Sequence, residues 1–348
     1  MIRPLLRVLV KLLLRLDPEW GARMMSLAEL STVLGRDAGQ RHTRARLLER
    51  FIDNLCHLRA DSHVDHFRSM HSLVLQSGWN KQNTEKLLAA RYHSRIADLS
   101  QADELRSNEF KVYSQNGEDG IILYVLSKIG VSSRRYVNIG SGGQSSNSAN
   151  LFLNYGWCGV EIDGSADALA QFRDLHLSRR KPDGEGIETI QAQVTRENVN
   201  AILESHAYTG EIDLLSIDVD GNDYWIWEAL DIVNPRLVVL EYNAFFGKER
   251  ALSVVYDPEF ERVKKHFSTW YCGASLCAFY RLGRRKGYTL VGCESNGVNA
   301  FFVRDDLLGE SFAEVSPGEA YYSHFQADQR ITREGLRSLL EEMNYVEV

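Results

Sequence analysis

Cysteine is scarce and scattered in this 348-residue chain: Cys56, Cys158, Cys272, Cys277 and Cys293, with no Cys-x-x-Cys pair. An odd number without paired spacing excludes a disulfide framework and points to a reducing, cytoplasmic setting. Cys272, Cys277 and Cys293 have no histidine at ligand spacing, so buried thiols are expected there rather than a metal. Positive charge is not in excess either. The net charge of −7 supplies no basic field, so no nucleic-acid partner is expected. His63-x-x-His66 lacks the glutamate of a zinc-protease pattern and reads as surface histidines. Long apolar runs are missing too. Ile2 to Leu16 is interrupted by Arg3, Arg7, Lys11 and Arg15. As a helix it would reach about 22 Å, short of the roughly 30 Å of a bilayer core. Lys11 and the lack of a small-residue cleavage site also fit a signal peptide poorly.

What is present divides the chain into four parts. Residues 1–17 read as a basic amphipathic helix ended by Asp17 and Pro18. Its four cations recur every fourth residue and form one narrow stripe. Such a helix suits peripheral contact with an anionic membrane face, or packing on its own domain or a second subunit of a homo-oligomer. Residues 18–105 form a helical accessory region, with apolar spacing at Leu47, Leu48, Phe51, Ile52 and Leu55. Residues 106–306 carry alternating helix and strand patterns. Residues 307–348 form a tail with an amphipathic helix expected over Thr332 to Met343.

In the third part, strands are expected at 135–139, 158–162, 187–192, 212–219 and 236–242. Helices are expected over 117–129, 145–155, 165–178, 195–205, 224–231 and 274–286. Asn296-Gly297 between the apolar runs 288–293 and 298–304 signals a hairpin. The fold class is therefore α/β: a doubly wound, mostly parallel seven-stranded sheet, closed by an antiparallel hairpin and preceded by helices. Five βα units followed by such a hairpin fit the methyltransferase-type sheet.

Between the first two strands lies Gly140-Ser-Gly142-Gly143, and the second strand ends on Asp163, 23 positions after Gly140. Strand, glycine turn, helix, strand and acid is how a nucleoside cofactor is held; the carboxylate suits a ribose hydroxyl pair. Ser145 stands where a dinucleotide fingerprint has its third glycine. S-adenosylmethionine (SAM) carries no phosphate and needs that glycine less. A glycine loop that only turns the chain is the competing reading.

The fourth strand runs into Asp218-Val-Asp220-Gly-Asn222-Asp223. Strand alternation would turn Asp218 and Asp220 the same way, about 6–7 Å apart. Carboxylates that close either raise one another's pKa, giving a general base, or share a hard cation such as Mg²⁺, with Asp223 or Asn222 as a further ligand. A solvated acidic turn is the plainer alternative. Asp-x-Asp also occurs in metal-dependent glycosyltransferases. Glu241 and the amide of Asn243, at the end of the fifth strand, would border the same crevice.

Together, Ser114-Gln115-Asn116-Gly117-Glu118-Asp119, the Gly140 loop, Glu161-Ile-Asp163-Gly164, Leu215-Ser-Ile-Asp218-Val-Asp220-Gly221 and Gly297-Val-Asn299-Ala-Phe-Phe-Val-Arg304 resemble the FkbM-like branch of SAM-dependent methyltransferases. The resemblance implies a SAM-binding fold and O-methylation of a sugar, glycan or natural-product hydroxyl. It implies that Gly140 and Gly142 approach the methionine part of SAM and that Asp163 takes the ribose. Gln115 and Glu118 would border the cofactor, and Asp218 and Asp220 would sit at the reacting end. Two positions depart from the family pattern. Asn138 replaces the usual first-strand acid, and Gln191 and Gln193 stand where an acid often meets adenine. A non-catalytic scaffold with the same fold is the alternative that these departures favour.

Overall fold

Strands covered on both faces read as continuous apolar runs, and such runs build the centre of this protein. Its structure, a computed structural model, describes residues 101–177, 186–266, 268–324 and 343–348. The expected 1–17 helix and most of the 18–105 region lie outside the described residues. The expected 332–343 helix also does, except for Met343. Among the described residues no helix is long and apolar enough to cross a membrane.

The first described elements are α1 (Gln101–Ser107) and α2 (Glu118–Ile129). β1 (Arg135–Ile139), α3 (Ala149–Tyr155), β2 (Cys158–Asp163), α4 (Ala166–Leu175) and β3 (Ile187–Gln191) then alternate. α5 (Val199–Ser205), β4 (Gly210–Ile217), α6 (Asp223–Ala229) and β5 (Val233–Glu241) follow. An excursion carries β6 (Leu252–Val254) and α7 (Arg262–Lys265). α8 (Leu276–Lys286) leads into the hairpin β7 (Tyr288–Cys293) and β8 (Asn299–Arg304). α9 (Pro317–Ala320) and β9 (Tyr345–Glu347) lie in the tail.

The main sheet has seven strands in the order β3-β2-β1-β4-β5-β8-β7. β1 to β5 pair in parallel, β8 pairs antiparallel with β5, and β7 pairs antiparallel with β8. β8 alone therefore runs against the rest, as in the methyltransferase-type sheet. Alternation along the strands divides the core into two layers. Tyr136, Leu214, Leu237 and Val239 pack with Ile121, Val125, Phe152 and Phe172 on one face. Val137, Leu215, Val238 and Leu240 pack with Leu203, Trp227, Phe279 and Leu282 on the other.

A third, smaller core holds Phe246, Leu252, Val254, Phe260, Tyr271 and Met343. It lies within the excursion after β5, where β9 pairs with β6. The tail, expected to be helical, thus ends in a strand. Hydrogen bonds stitch this excursion to the strand ends: Asn243 N to Ala274 O at 2.7 Å and Gly273 N to Gly221 O at 3.1 Å. Trp225 adds a tether through Nε1 to Val254 O at 3.0 Å, while Trp227 is the core tryptophan.

Two boundaries move where polar side chains compete with backbone pairing. α3 starts at Ala149, not at 145, because Ser146 Oγ accepts the N–H groups of Ser148 and Ala149. β4 stops at Ile217, two residues short of the expected end, because Asp223 Oδ1 accepts the Val219 N–H at 2.8 Å.

Candidate functional site

The strand order reverses direction between β1 and β4, and such a switch point opens a crevice at the carboxyl ends of the strands. The glycine loop leaves β1 there. Gly140 has φ 86°, and a Cβ on it would lie 1.6 Å from the Asp218 carbonyl oxygen. Its glycine is thus required by the packing of the β1 end against the β4 end. Gly142, at φ 60°, differs: a Cβ there would meet only Ser145 O, at 4.0 Å. It borders open space that a ligand could fill. Asp163 stands across from it, accepting the Gly142 N–H at 3.1 Å and the Ser165 N–H at 2.7 Å. Ser141 Oγ is buried beside them and, among the described residues, has no hydrogen-bond partner.

The crevice is lined by Gln115, Glu118, Gly140, Asn147, Ser216 and Asp218, among others. Asn147 Nδ2 donates to Ser216 Oγ at 3.2 Å, joining two sides of its wall. Gln115 is exposed on the rim. Glu118 is wholly buried and accepts from Asn116 N at 2.7 Å and from Asn299 Nδ2 at 2.7 Å. It ties the loop before α2 to β8. Asp119 does similar work, accepting the N–H groups of Val112, Tyr113 and Ser114 at 2.7 to 2.8 Å.

The acid missing from β1 is supplied by its neighbour. Asn138 and Glu161 are register partners on β1 and β2. Asn138 Nδ2 donates to Glu161 Oε2 at 2.7 Å, and Ser148 Oγ donates to Glu161 Oε1. Ser148 precedes the first residue of α3, so this buried carboxyl anchors the start of the helix behind the glycine loop. Burial pushes its pKa up to about 7, against the opposing hydrogen bonds from Ser148 and Asn138.

The acidic cluster differs from the sequence expectation at one residue. Asp218 and Asp220 do not alternate along a strand, because β4 has already ended. Asp220 adopts φ 57°, is largely exposed and pairs with Arg262. Glu241 takes its place: oxygens of Asp218, Asp223 and Glu241 lie within 4.8 Å of one another. The expected pair Asp218/Asp220 and the expected metal set Asp218/Asp220/Asp223 are corrected accordingly.

Within the cluster the three acids are not equivalent. Asp223 Oδ1 and Oδ2 accept the Val219 and Gly221 N–H groups at 2.8 and 2.9 Å, clamping the turn. Burial raises its pKa to about 6. Burial, then the charges of Asp220 and Asp223, raises Asp218, while a hydrogen bond from the Glu241 carboxyl opposes the rise. Glu241 is raised further, by burial and then by Asp218. Both carboxyls therefore favour their protonated forms, and Asp218 is the member that also lines the crevice.

Sequence reasoning missed Arg262 and the anchoring role of Glu161, while Asn243 was expected beside Glu241 at the end of the fifth strand. Asn243 Nδ2 donates to Trp270 O and Cys272 O, both at 2.8 Å, fixing the excursion beside Glu241. The sequence signal for Glu161 was an acid interrupting an otherwise apolar strand run, Cys158 to Ile162.

No family model matches the chain, and no curated protein matches it. Solved structures with a similar fold include an O-methyltransferase from Bacillus cereus in complex with SAH. It is 14% identical, covering 62% of this chain and 95% of that one, with a TM-score of 0.36. The O-methyltransferase TomG from Streptomyces achromogenes, in complex with SAM, is 12% identical, covering 66% and 98%, with a TM-score of 0.36. The glycopeptide N-methyltransferase MtfA, complexed with SAM, is 11% identical, covering 56% and 96%, with a TM-score of 0.35.

Proposed function

We propose that this protein is a SAM-dependent methyltransferase of the FkbM-like group, methylating a hydroxyl of a sugar, glycan or related natural product. The observation that carries the reading is Asp218: it lines the crevice at the switch point and belongs to a carboxyl pair that burial raises well above the usual carboxylate range. The residues around it fit the cofactor. Gly142 leaves room, Asp163 keeps lone pairs for ribose hydroxyls, and the unpartnered Ser141 Oγ offers a further contact.

Bound SAM supplies an electrophilic sulfonium methyl. The chain contributes alignment of the acceptor oxygen and removal of its proton. Asp218 accepts that proton when ionised, and Glu241 holds the neighbouring one. Residues 2–16 would keep the enzyme at the cytoplasmic face of a membrane, close to a lipid-linked or membrane-proximal glycan. Asp218→Asn in the full chain should lower turnover roughly 10²- to 10⁴-fold with SAM affinity kept. Unchanged turnover would remove Asp218 as the base.

Mg²⁺ is the second reading of the same carboxylates, since a cation could replace the protons that Asp218, Asp223 and Glu241 favour. It predicts that EDTA abolishes turnover and that Mg²⁺ restores it. Turnover that survives EDTA leaves the proton as the occupant.

A further inference from the structure

The crevice wall carries an acceptor that, among the described residues, meets no donor. Asn299 starts β8, is the register partner of Glu241 on β5 and lines the crevice. Its side-chain amide can point only one way. Nδ2 donates to Glu118 Oε1 at 2.7 Å, and a carboxylate offers no N–H, so the amide oxygen cannot take that place. Oδ1 is left buried and, among the described residues, without a hydrogen-bond partner. Asn299 is only 3% exposed, and an unmet acceptor at that depth is costly.

Glu118 beside it has room for one donor more. Oε2 accepts the Asn116 N–H at 2.7 Å, while Oε1 accepts Asn116 Nδ2 at 3.2 Å and Asn299 Nδ2. A carboxylate has about four lone-pair sites, so one remains, on Oε2. Asp218 is the second acid in the wall, and among the described residues no lysine, arginine or histidine lines it. Lys111 acts on Glu118 from outside that wall, with Nζ donating to Gln115 O at 2.7 Å.

Two open acceptors in an acidic wall without a basic side chain suit a cation that carries N–H groups. We propose that Asn299 Oδ1 and Glu118 Oε2 seat the α-ammonium group of SAM, so that the crevice selects its cofactor by that group. The inference rests on SAM as the cofactor. A hydroxyl could satisfy Oδ1, but its single proton could not serve Glu118 as well. An ammonium has three.

The test is calorimetric titration of the full chain with S-adenosylhomocysteine and with its desamino analogue, which keeps the carboxylate. The ratio of the two affinities reads the amino group alone. Wild type should bind S-adenosylhomocysteine roughly tenfold or more tighter, as expected for hydrogen bonds between charged groups. Asn299→Ala and the nearly isosteric Glu118→Gln should each bring the ratio below about threefold. A variant that only loosens the fold weakens both ligands alike and leaves the ratio unchanged. Asn296→Ala removes a hydrogen bond to Asn116 Oδ1 from the same hairpin but lies outside the wall, so it should keep the wild-type ratio. Equal binding of the two ligands by wild type, or a wild-type ratio that persists in Asn299→Ala, overturns the proposal and leaves SAM as the cofactor. Binding of neither ligand removes the cofactor reading itself, and the proposal with it.

Discussion

Replacing Glu161 by Gln should remove a pH dependence that the fold has built in. Glu161 is wholly buried between β1 and β2, hydrogen-bonded by Asn138 and Ser148, and its pKa rises from 4.5 to about 7. A raised carboxyl pKa means that the folded state prefers the protonated form. Its contribution to stability is complete below about pH 4.5 and is lost as pH climbs through about 7. The interval is about 2.5 pH units, and each is worth about 1.4 kcal/mol, which gives about 3 kcal/mol. Glutamine is nearly isosteric and cannot ionise. Its amide oxygen can accept from Asn138, and its NH₂ can donate to Ser148 Oγ once that hydroxyl turns. Urea denaturation of both proteins from pH 4 to 8.5 gives the difference in unfolding free energy at each pH. The other buried acids, including Asp218 and Glu294, titrate in both proteins and largely cancel in that difference. Glu161→Gln should gain about 3 kcal/mol on wild type between the two ends of the range. A difference that stays flat with pH would refute the burial argument for Glu161.

Four further outcomes follow from the geometry. Gly140→Ala should destabilise the fold by more than the roughly 1–2 kcal/mol of a left-handed non-glycine residue, because its Cβ meets the Asp218 backbone; denaturation measures this. Gly142→Ala should cost only that backbone strain in stability yet weaken SAM binding by calorimetry, since its Cβ enters open space. Arg262→Met should free Asp220 while leaving SAM affinity within about twofold, the exposed pair being worth roughly 0–1 kcal/mol. The methylation rate should rise with pH through a limb above the usual carboxylate range, because burial raises Asp218 and only its ionised form accepts a proton. A limb at pH 4 would contradict that assignment.

Local pattern carried most of the fold. β1 and β7 have the expected bounds, and β2 and β8 come within one residue of theirs, because their apolar runs and the Asn296-Gly297 turn are contiguous signals. What escaped depends on contacts distant in sequence. Three-residue strands such as Leu252–Val254 and Tyr345–Glu347 show no period and are held by pairing with each other and, for Ser253, with Ala274. The fate of Asp220 was set by Arg262, 42 positions away, and by Phe260, which lies over Gly221 at 2.3 Å from where a Cβ would stand. The same distance effect explains Asn138. It reads as a lost acid in one strand and as a hydrogen-bond donor once its register partner Glu161 is known. Glu241 was legible as an acid at the end of a strand. Its coupling to Asp218 needed the strand order.

SAM binding to the purified full chain, measured by calorimetry beside Asp163→Ala, decides whether the crevice holds this cofactor. Micromolar affinity is expected in wild type and a loss of at least tenfold in the variant, since Asp163 stands opposite Gly142 with acceptors to spare. Absence of SAM binding to the folded wild-type protein, or binding indifferent to Asp163, would contradict it.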